Sequence, residues 1–280
     1  ADPEALNACA HDLLSYARQS PKPELAWQAY VESYQSMKQA GKTQELLPVL
    51  QEALQKQPEA KDAALLEYEL VALNFQLGNT AEALSLADGF FARHGREALA
   101  APLYLMLGDY FVAESQFDKA QSYYREINSA EHEGRLKALA VYENARCAFL
   151  LEHYEQAESL LKLLLAEEAG SLESEAELRG KAQFLLGDIY ALRADYELAR
   201  ASFALARNSA KDSELGYAAL GRQAEMLMEL AVDDETLWDK AFECLQEILQ
   251  PGSSASEELR EMAHYRMARC WQEKGQLQEA

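Results

Sequence analysis

The stretch Gly41-Lys42-Thr43 has residue types that could hold a nucleotide. In a phosphate-binding loop the lysine contacts the phosphates, and the threonine hydroxyl contacts their Mg²⁺. Such a loop also needs a glycine five residues before Gly41 and a strand in front of it, whereas Ser36 stands there within a helical pattern. The stretch therefore does not predict nucleotide binding, and Gly41 is better explained as a turn between two helices.

Metal ligation and catalysis are the other kinds of chemistry to consider. Cys9 and His11 could supply two metal ligands, but a separation of two residues does not place both on one face of a helix. None of the five histidines has a second histidine four residues later, and no serine or cysteine stands beside a credible base. We therefore predict no catalytic residue, no metal site, no cofactor and no enzymatic activity.

The net charge narrows the class of partner. The chain has 47 Asp and Glu against 26 Lys and Arg, which gives a net charge of −21. A surface this acidic repels the phosphates of nucleic acids and of anionic membranes. The longest apolar stretches, such as residues 163–166, are also far too short to span a bilayer. The sequence predicts a protein or peptide partner, no nucleic acid and no membrane insertion.

The elements that position all these residues are predicted to be helices. Ala, Leu, Glu and Gln dominate the sequence, and they lose little rotamer freedom in a helix. The 7 prolines and 13 glycines are few, and the runs of Val, Ile or Thr that favour strands are absent. An initial helix is predicted from about Glu4 to Gln19, ended by the proline-containing segment 20–23. A late helix is predicted from Ser256 to Lys274.

One pattern of large and small residues occurs twice with the same spacing. The two copies are Leu107, Gly108, Phe111, Phe117, Ala120 and Tyr124, and Leu186, Gly187, Tyr190, Tyr196, Ala199 and Phe203. A glycine or alanine where two antiparallel helices cross lets their backbones approach, and the large residues fill the neighbouring groove. The pattern therefore predicts paired helices that stack on further pairs.

Weaker copies of this pattern align when the turn between the paired helices is used as the reference. The predicted turn positions are Gly41, Gly78, Ser115, Glu152, Ala194, Thr236 and Gly275. They are 37 to 42 residues apart. Five residues after each turn position come Leu46, Ala83, Ala120, Ala157, Ala199, Ala241 and Ala280. A small residue in six of the seven registers indicates a true internal repeat.

These residues and spacings resemble the tetratricopeptide repeat, in which Leu-Gly and an aromatic residue precede a small Ala set between large apolar residues. The resemblance is to long-period, multi-repeat bacterial proteins, because every interval here exceeds the usual period of about 34 residues. It implies an all-α fold, a right-handed α-solenoid of about seven helix-turn-helix units. We predict an N-terminal helix and linker at 1–23 and a solenoid at 24–280. Its units are about 24–60, 61–97, 98–130, 131–170, 171–211, 212–252 and 253–280, the last one incomplete.

Two units depart from the pattern in ways that predict local differences. Leu220-Gly221 in the sixth unit lies about eight residues too early for the turn near Thr236, so we expect an insertion in the first helix or in the following loop. The seventh unit stops at Ala280, a few residues into its second helix. We therefore expect the chain to be a piece of a longer protein.

The resemblance also implies where a partner binds, because the first helix of each tetratricopeptide unit lines a concave groove. Projecting that face by helical spacing yields aromatic side chains with isolated arginines, the residue types that anchor protein interfaces. The predicted partner-binding residues are Tyr68, Phe75, Tyr142, Arg146, Phe149, Phe184, Arg222, Tyr265 and Arg269. The alternative for the aromatic residues is that they pack between adjacent repeats.

One known use of this fold is not predicted. Co-chaperone domains grip a C-terminal carboxylate with Lys, Asn and Arg placed across three successive units. Lys181 is the only lysine that stands at a matching position, and no asparagine accompanies it. The sequence does not predict this carboxylate clamp.

The main functional hypothesis is a non-enzymatic scaffold that binds a protein or peptide through the concave groove. One alternative is a peptide-sensing regulatory receptor, and another is a targeting domain of a larger enzyme. A similarity to cell-envelope assembly factors favours the bacterial cell envelope or periplasm slightly over the cytoplasm.

Overall fold

The computed structural model describes residues 2–129, 134–166 and 176–274. These ranges form helices and no strand, as the sequence predicted. The helices are α1 (Pro3–Gln19), α2 (Pro23–Gln39), α3 (Thr43–Lys56), α4 (Ala63–Gln76), α5 (Thr80–His94), α6 (Ala100–Ala113), α7 (Phe117–Ser129), α8 (Arg135–Leu150), α9 (Tyr154–Ala166), α10 (Ala176–Leu192), α11 (Tyr196–Ser209), α12 (Glu214–Leu230), α13 (Leu237–Leu249) and α14 (Glu257–Glu273). Both helices whose ends were predicted, α1 and α14, begin and end within one residue of the expected positions.

The chain forms two compact units, residues 1–106 and 107–280. In the first unit, each helix from α1 to α5 packs against the next. In the second unit, each helix from α7 to α14 packs against the next, and α8, α10, α12 and α14 also contact one another in sequence order. The second unit is therefore a stack of helix pairs with the first helices side by side. The domain and repeat boundaries drawn from the sequence stay predictions.

Five of the predicted turn positions have the same backbone conformation. Their φ angles are 73° at Gly41, 78° at Gly78, 57° at Ser115, 62° at Glu152 and 60° at Ala194. In each turn the next N–H donates to the carbonyl five residues earlier, which satisfies the free carbonyls at the helix end. A non-glycine residue in this left-handed region costs about 1–2 kcal/mol, so packing of the helix pair holds the last three turns in place.

The sixth turn differs from the first five. The inserted residues lie both in the first helix of the unit and in the loop that follows it. α12 continues nine residues beyond Gly221, whereas α10 ends five residues beyond Gly187. The linker 231–236 after α12 has six residues, against three in the linker 193–195 after α10. Thr236 accordingly has an ordinary helical φ of −67°. The predicted turn at Gly275, and the truncated helix after it, lie outside the described residues.

The residue five positions after each of the first six predicted turn positions is buried, as predicted. Leu46 is 4 % exposed, and Ala83, Ala120, Ala157, Ala199 and Ala241 are all 0 % exposed. The glycine of each full pattern copy meets a large ring from the second helix: Gly108 lies against Tyr124, and Gly187 lies against Phe203. The small residues therefore allow the close helix contact on which the repeat depends. Ala280 lies outside the described residues.

The carboxylate of Glu52 on α3 joins the first three helices. Arg18 on α1 donates to it from Nε and Nη2, at 3.1 and 2.8 Å, and the Tyr30 hydroxyl on α2 donates to it at 2.8 Å. Lys56 Nζ lies 3.2 Å away on α3 itself. These bonds, those from Arg18 above all, lower the pKa of Glu52 from 4.5 to about 2. The ionised carboxylate therefore stabilises the packing of α1 on α2 and α3.

Glu52→Gln is expected to lower the free energy of unfolding by about 1 kcal/mol at pH 7, a modest value because water screens the half-exposed Arg18. The folded-state pKa lies below the ordinary one, so the stabilisation is complete above about pH 4.5 and is lost as the pH falls through about 2. Urea unfolding of both proteins should show the difference shrinking to less than about half by pH 3. The exposed Glu59 gives the control Glu59→Gln, which should change nothing, and a pH-independent difference would contradict the prediction.

Candidate partner-binding surface

Three neighbouring helices of the second unit, α10, α12 and α14, are joined by a chain of charged side chains. Arg222 on α12 donates to Asp188 Oδ1 on α10 from Nη2 and Nε, at 2.9 and 3.2 Å. Its Nη1 also donates to Glu225 Oε2 at 2.5 Å. Arg266 on α14 donates to the other oxygen of Glu225. Three ion pairs therefore connect the four side chains in a row, in the order Asp188, Arg222, Glu225 and Arg266.

These four ion-paired side chains are largely buried between the helices. Arg266 is only 7 % exposed. Burial raises the pKa of Asp188, and the adjacent Arg222 guanidinium opposes that rise. The guanidinium of Arg222 also lies 5.3 Å from the centre of the Phe203 ring, an attractive cation–π distance. The chain of ion pairs thus fixes the spacing of the three first helices.

A cleft of about 190 Å³ lies between α12 and α14. Its apolar lining consists of Met228, Met262 and Tyr265. Tyr265 is 67 % exposed and Met262 is 40 % exposed, so most of the tyrosine and much of the methionine face solvent. Large apolar side chains left in solvent beside a cleft are typical of interaction surfaces.

A second cleft, of about 310 Å³, lies beside the first, where α10 ends against α12. Its apolar lining includes Leu192, Tyr196 and Met226. Leu192 is 59 % exposed. Because residues of α12 and α14 line both clefts, the two form one continuous surface.

Three charged residues, Glu225, Glu229 and Arg269, line both clefts. Glu225 is neutralised by the two arginines described above. Arg269 and Glu229 are exposed, and neither forms an ion pair within the part of the chain that the structure describes. Their hydrogen-bonding groups therefore face solvent at the boundary between the clefts.

The structure brings three of the predicted groove residues to this surface. Tyr265 and Arg269 on α14 line the first cleft, and Arg222 and Arg269 line the second. Sequence reasoning missed Met262, although it precedes Tyr265 by three residues on the same helix face. It also missed Leu192 at the end of α10, for which no sequence signal existed.

Other predicted groove residues of the second unit make packing contacts. Tyr142, Phe149 and Phe184 pack against the core cluster shared by α8, α9 and α10. Phe184 meets Phe203 edge to face at 5.3 Å between ring centres, and Phe149 meets Tyr154 likewise at 5.7 Å. All three side chains remain partly exposed, so the assignment of these rings to partner binding stays a prediction.

Arg146 and Lys181 each have a nearby carboxylate on their own helix. Arg146 Nε lies 2.8 Å from Glu143 Oε2, without the alignment of a hydrogen bond. Burial raises the pKa of Glu143, and Arg146 opposes that rise. Lys181 Nζ lies 2.6 Å from Glu177. The positive charges of Arg146 and Lys181 are therefore partly neutralised by these carboxylates.

The two candidates in the first unit lie on α4. Tyr68 lines a separate cleft of about 380 Å³ formed by α2, α3 and α4, while Phe75 is half-buried. The central carboxylate of that cleft, Glu69, accepts the Tyr34 hydroxyl at 2.6 Å and lies 2.8 Å from Lys38 Nζ. Its charge is thus already satisfied, and the binding role of Tyr68 and Phe75 stays a prediction.

The described residues hold no group of three or more side chains arranged to bind a metal ion. Within the same ranges, no helix combines the length and apolarity that a membrane span requires. Gly41 forms the turn between α2 and α3, as expected from the helical pattern that precedes it.

By sequence, the chain matches no protein-family profile and no curated protein. By structure, it is similar to the C-terminal part of a TPR repeat-containing protein from Cytophaga hutchinsonii, at 13 % identity and a TM-score of 0.67 over 92 % of this chain and 94 % of that one. The apo form of RapI is 17 % identical, with a TM-score of 0.60 over 97 % and 82 %. YrrB, a TPR protein with an unusual peptide-binding site, is 17 % identical, with a TM-score of 0.52 over 78 % and 97 %.

These similarities define the class of the fold. At 13 to 17 % identity they show the fold. The chain has a tetratricopeptide-like all-α fold built from stacked helix pairs, as its Leu-Gly and Ala spacing predicted.

Proposed function

We propose that this protein is a non-enzymatic scaffold that binds a segment of another protein on the face shared by α10, α12 and α14. The observation that carries the proposal is the pair of adjoining clefts that share Arg269 and leave Tyr265 exposed. Tyrosine and arginine are, with tryptophan, the side chains enriched among the residues that dominate the binding energy of protein interfaces.

The size of the clefts supports a peptide segment over a small molecule. Pockets for small molecules usually measure about 300–1,000 Å³ and enclose their ligand. The first cleft, at about 190 Å³, is below that range, and the second, at about 310 Å³, is at its lower limit. Both are open to solvent, so each suits one side chain of a longer ligand. The peptide-binding site of the structurally similar YrrB is consistent with this use of the fold.

Selection from a displayed library of random peptides on the full chain tests the proposal. Enriched sequences are synthesised with a fluorescent label, and their affinity is measured by anisotropy. Tyr265→Ala is expected to weaken binding by about tenfold or more, because a central tyrosine loses its buried contact area.

Leu198→Ala is the matched control for this experiment. Leu198 is 54 % exposed on α11 and lines neither cleft, so its removal should leave the affinity unchanged. Far-UV circular dichroism confirms that both variants fold. The proposal fails if no peptide is enriched, or if Leu198→Ala weakens binding and Tyr265→Ala does not.

A further inference from the structure

We infer that the two clefts select a segment in which an acidic residue stands between two apolar residues. This inference rests on the proposed function, since it assigns a chemistry to the partner of the same surface. It is carried by the charges and apolar side chains of α10, α12 and α14.

One arginine at the clefts is left for an acidic group. Arg222 and Arg266 are paired with Asp188 and Glu225, so these four charges cancel. Arg269 and Glu229 remain, and both line the two clefts. Arginine is enriched in protein interfaces whereas glutamate is depleted, so we assign the contact to Arg269, where a carboxylate of the partner meets complementary charge.

Arg269 is the guanidinium that is available to such a carboxylate. Arg222 and Arg266 already donate to Asp188 and Glu225, whereas Arg269 has no ion pair among the described residues. A guanidinium presents a planar fork of N–H groups that matches the two oxygens of a carboxylate. Arg269 therefore supplies the specific contact, and the other two arginines remain structural.

The apolar side chains lie on both sides of that contact. Met228, Met262 and Tyr265 line the first cleft, and Leu192, Tyr196 and Met226 line the second, while Arg269 lines both. Methionine side chains are flexible and adapt to ligands of different shape. The arrangement thus accepts one apolar side chain in each cleft, with the acidic residue between them.

Glu229 raises the alternative that the clefts bind a basic segment. It lines both clefts and is exposed, so it would attract a basic segment and oppose an acidic one. Removing its charge separates the two cases. Glu229→Gln should leave binding of an acidic segment unchanged or make it tighter, but it should weaken binding of a basic segment.

The test compares peptides selected from one random displayed library by the wild type, Arg269→Gln, Glu229→Gln and Arg96→Gln. Arg96 is an exposed arginine of the first unit, and its variant is the matched control. Wild type and the Arg96 variant should enrich peptides with an acidic residue flanked by apolar residues. Arg269→Gln should lose the acidic preference, and for a single selected peptide, replacing Glu by Gln should weaken wild-type binding about fivefold.

Each other result overturns the inference. Enriched peptides without acidic preference, or a preference that survives in Arg269→Gln, would contradict the role of Arg269 and leave the proposed function standing. Basic peptides whose binding is lost in Glu229→Gln would assign the opposite partner. If wild type enriches no peptide at all, the proposed function fails and this inference fails with it.

Discussion

Gly187→Ala is expected to lower the free energy of unfolding by about 2 kcal/mol. A Cβ atom at this position would lie 2.7 to 2.9 Å from three ring carbons of Phe203. That ring is 0 % exposed and packs edge to face on Phe184, so it has no space into which to move. Overpacking of this kind costs about 1–3 kcal/mol or more, and it outweighs the helix propensity of about 1 kcal/mol that alanine gains over glycine.

Urea unfolding followed by far-UV circular dichroism measures this effect. Gly89→Ala in α5 is the matched control, because a Cβ atom there would meet only Arg93, at 3.6 Å, an ordinary contact. The control is expected to stabilise the protein by about 0.5–1 kcal/mol through helix propensity alone. Adding Phe203→Leu to Gly187→Ala should cost less than the sum of the two single changes. Strict additivity would show that the two residues do not meet at the helix crossing.

The repeat register was predictable because the residues that set it act locally. Ser115, Glu152 and Ala194 were placed at turns by spacing alone, although none is a glycine, and all three adopt the left-handed conformation. The small residue five positions later is buried wherever the structure describes it, for example at Ala120 and Ala199. The turn residues and the small buried residues can be recognised in the sequence because each acts within one helix pair and meets a single steric requirement.

The candidate binding surface was predictable only in part, because the residues that line it come from different helices. Helical spacing placed Arg222 on the face that α12 shares with α10 and α14, but it did not show that Asp188 on α10 neutralises it. Spacing likewise did not separate Phe184, which packs on Phe203, from Tyr265, which stays in solvent. The distances between helices decide whether a side chain forms an ion pair, packs in the core or stays exposed. The periodicity of residues within one helix gives no information about those distances.

In the sixth unit, too, the sequence predicted only part of the structure. The early position of Gly221 predicted extra residues, but it did not distinguish a longer helix from a longer loop. The structure divides the insertion between α12 and the linker 231–236. The longer α12 carries Met228 and Glu229, which lie beyond the point where a helix of ordinary length would have ended. The insertion therefore builds part of the first cleft, and it makes this unit different from its neighbours.

Glu225→Leu is expected to lower the free energy of unfolding by about 3 kcal/mol, because it leaves a buried arginine without a partner. Glu225 accepts from Arg222 with one oxygen and from Arg266 with the other. Arg222 keeps Asp188 after the change, but Arg266 loses the only ion pair found for it in the described residues. Since the Arg266 side chain is 9 % exposed, water cannot replace the carboxylate.

The double variant Glu225→Leu/Arg266→Met separates this cause from loss of packing. It removes the orphaned charge and keeps an apolar side chain in its place, so it should recover about half or more of the lost stability. Arg269→Gln is the matched control, because that exposed arginine has no ion pair to lose and its removal should leave stability unchanged. If Arg266→Met instead adds its full cost to that of Glu225→Leu, the two residues are not coupled. The charged chain from α10 to α14 would then not hold the first helices together.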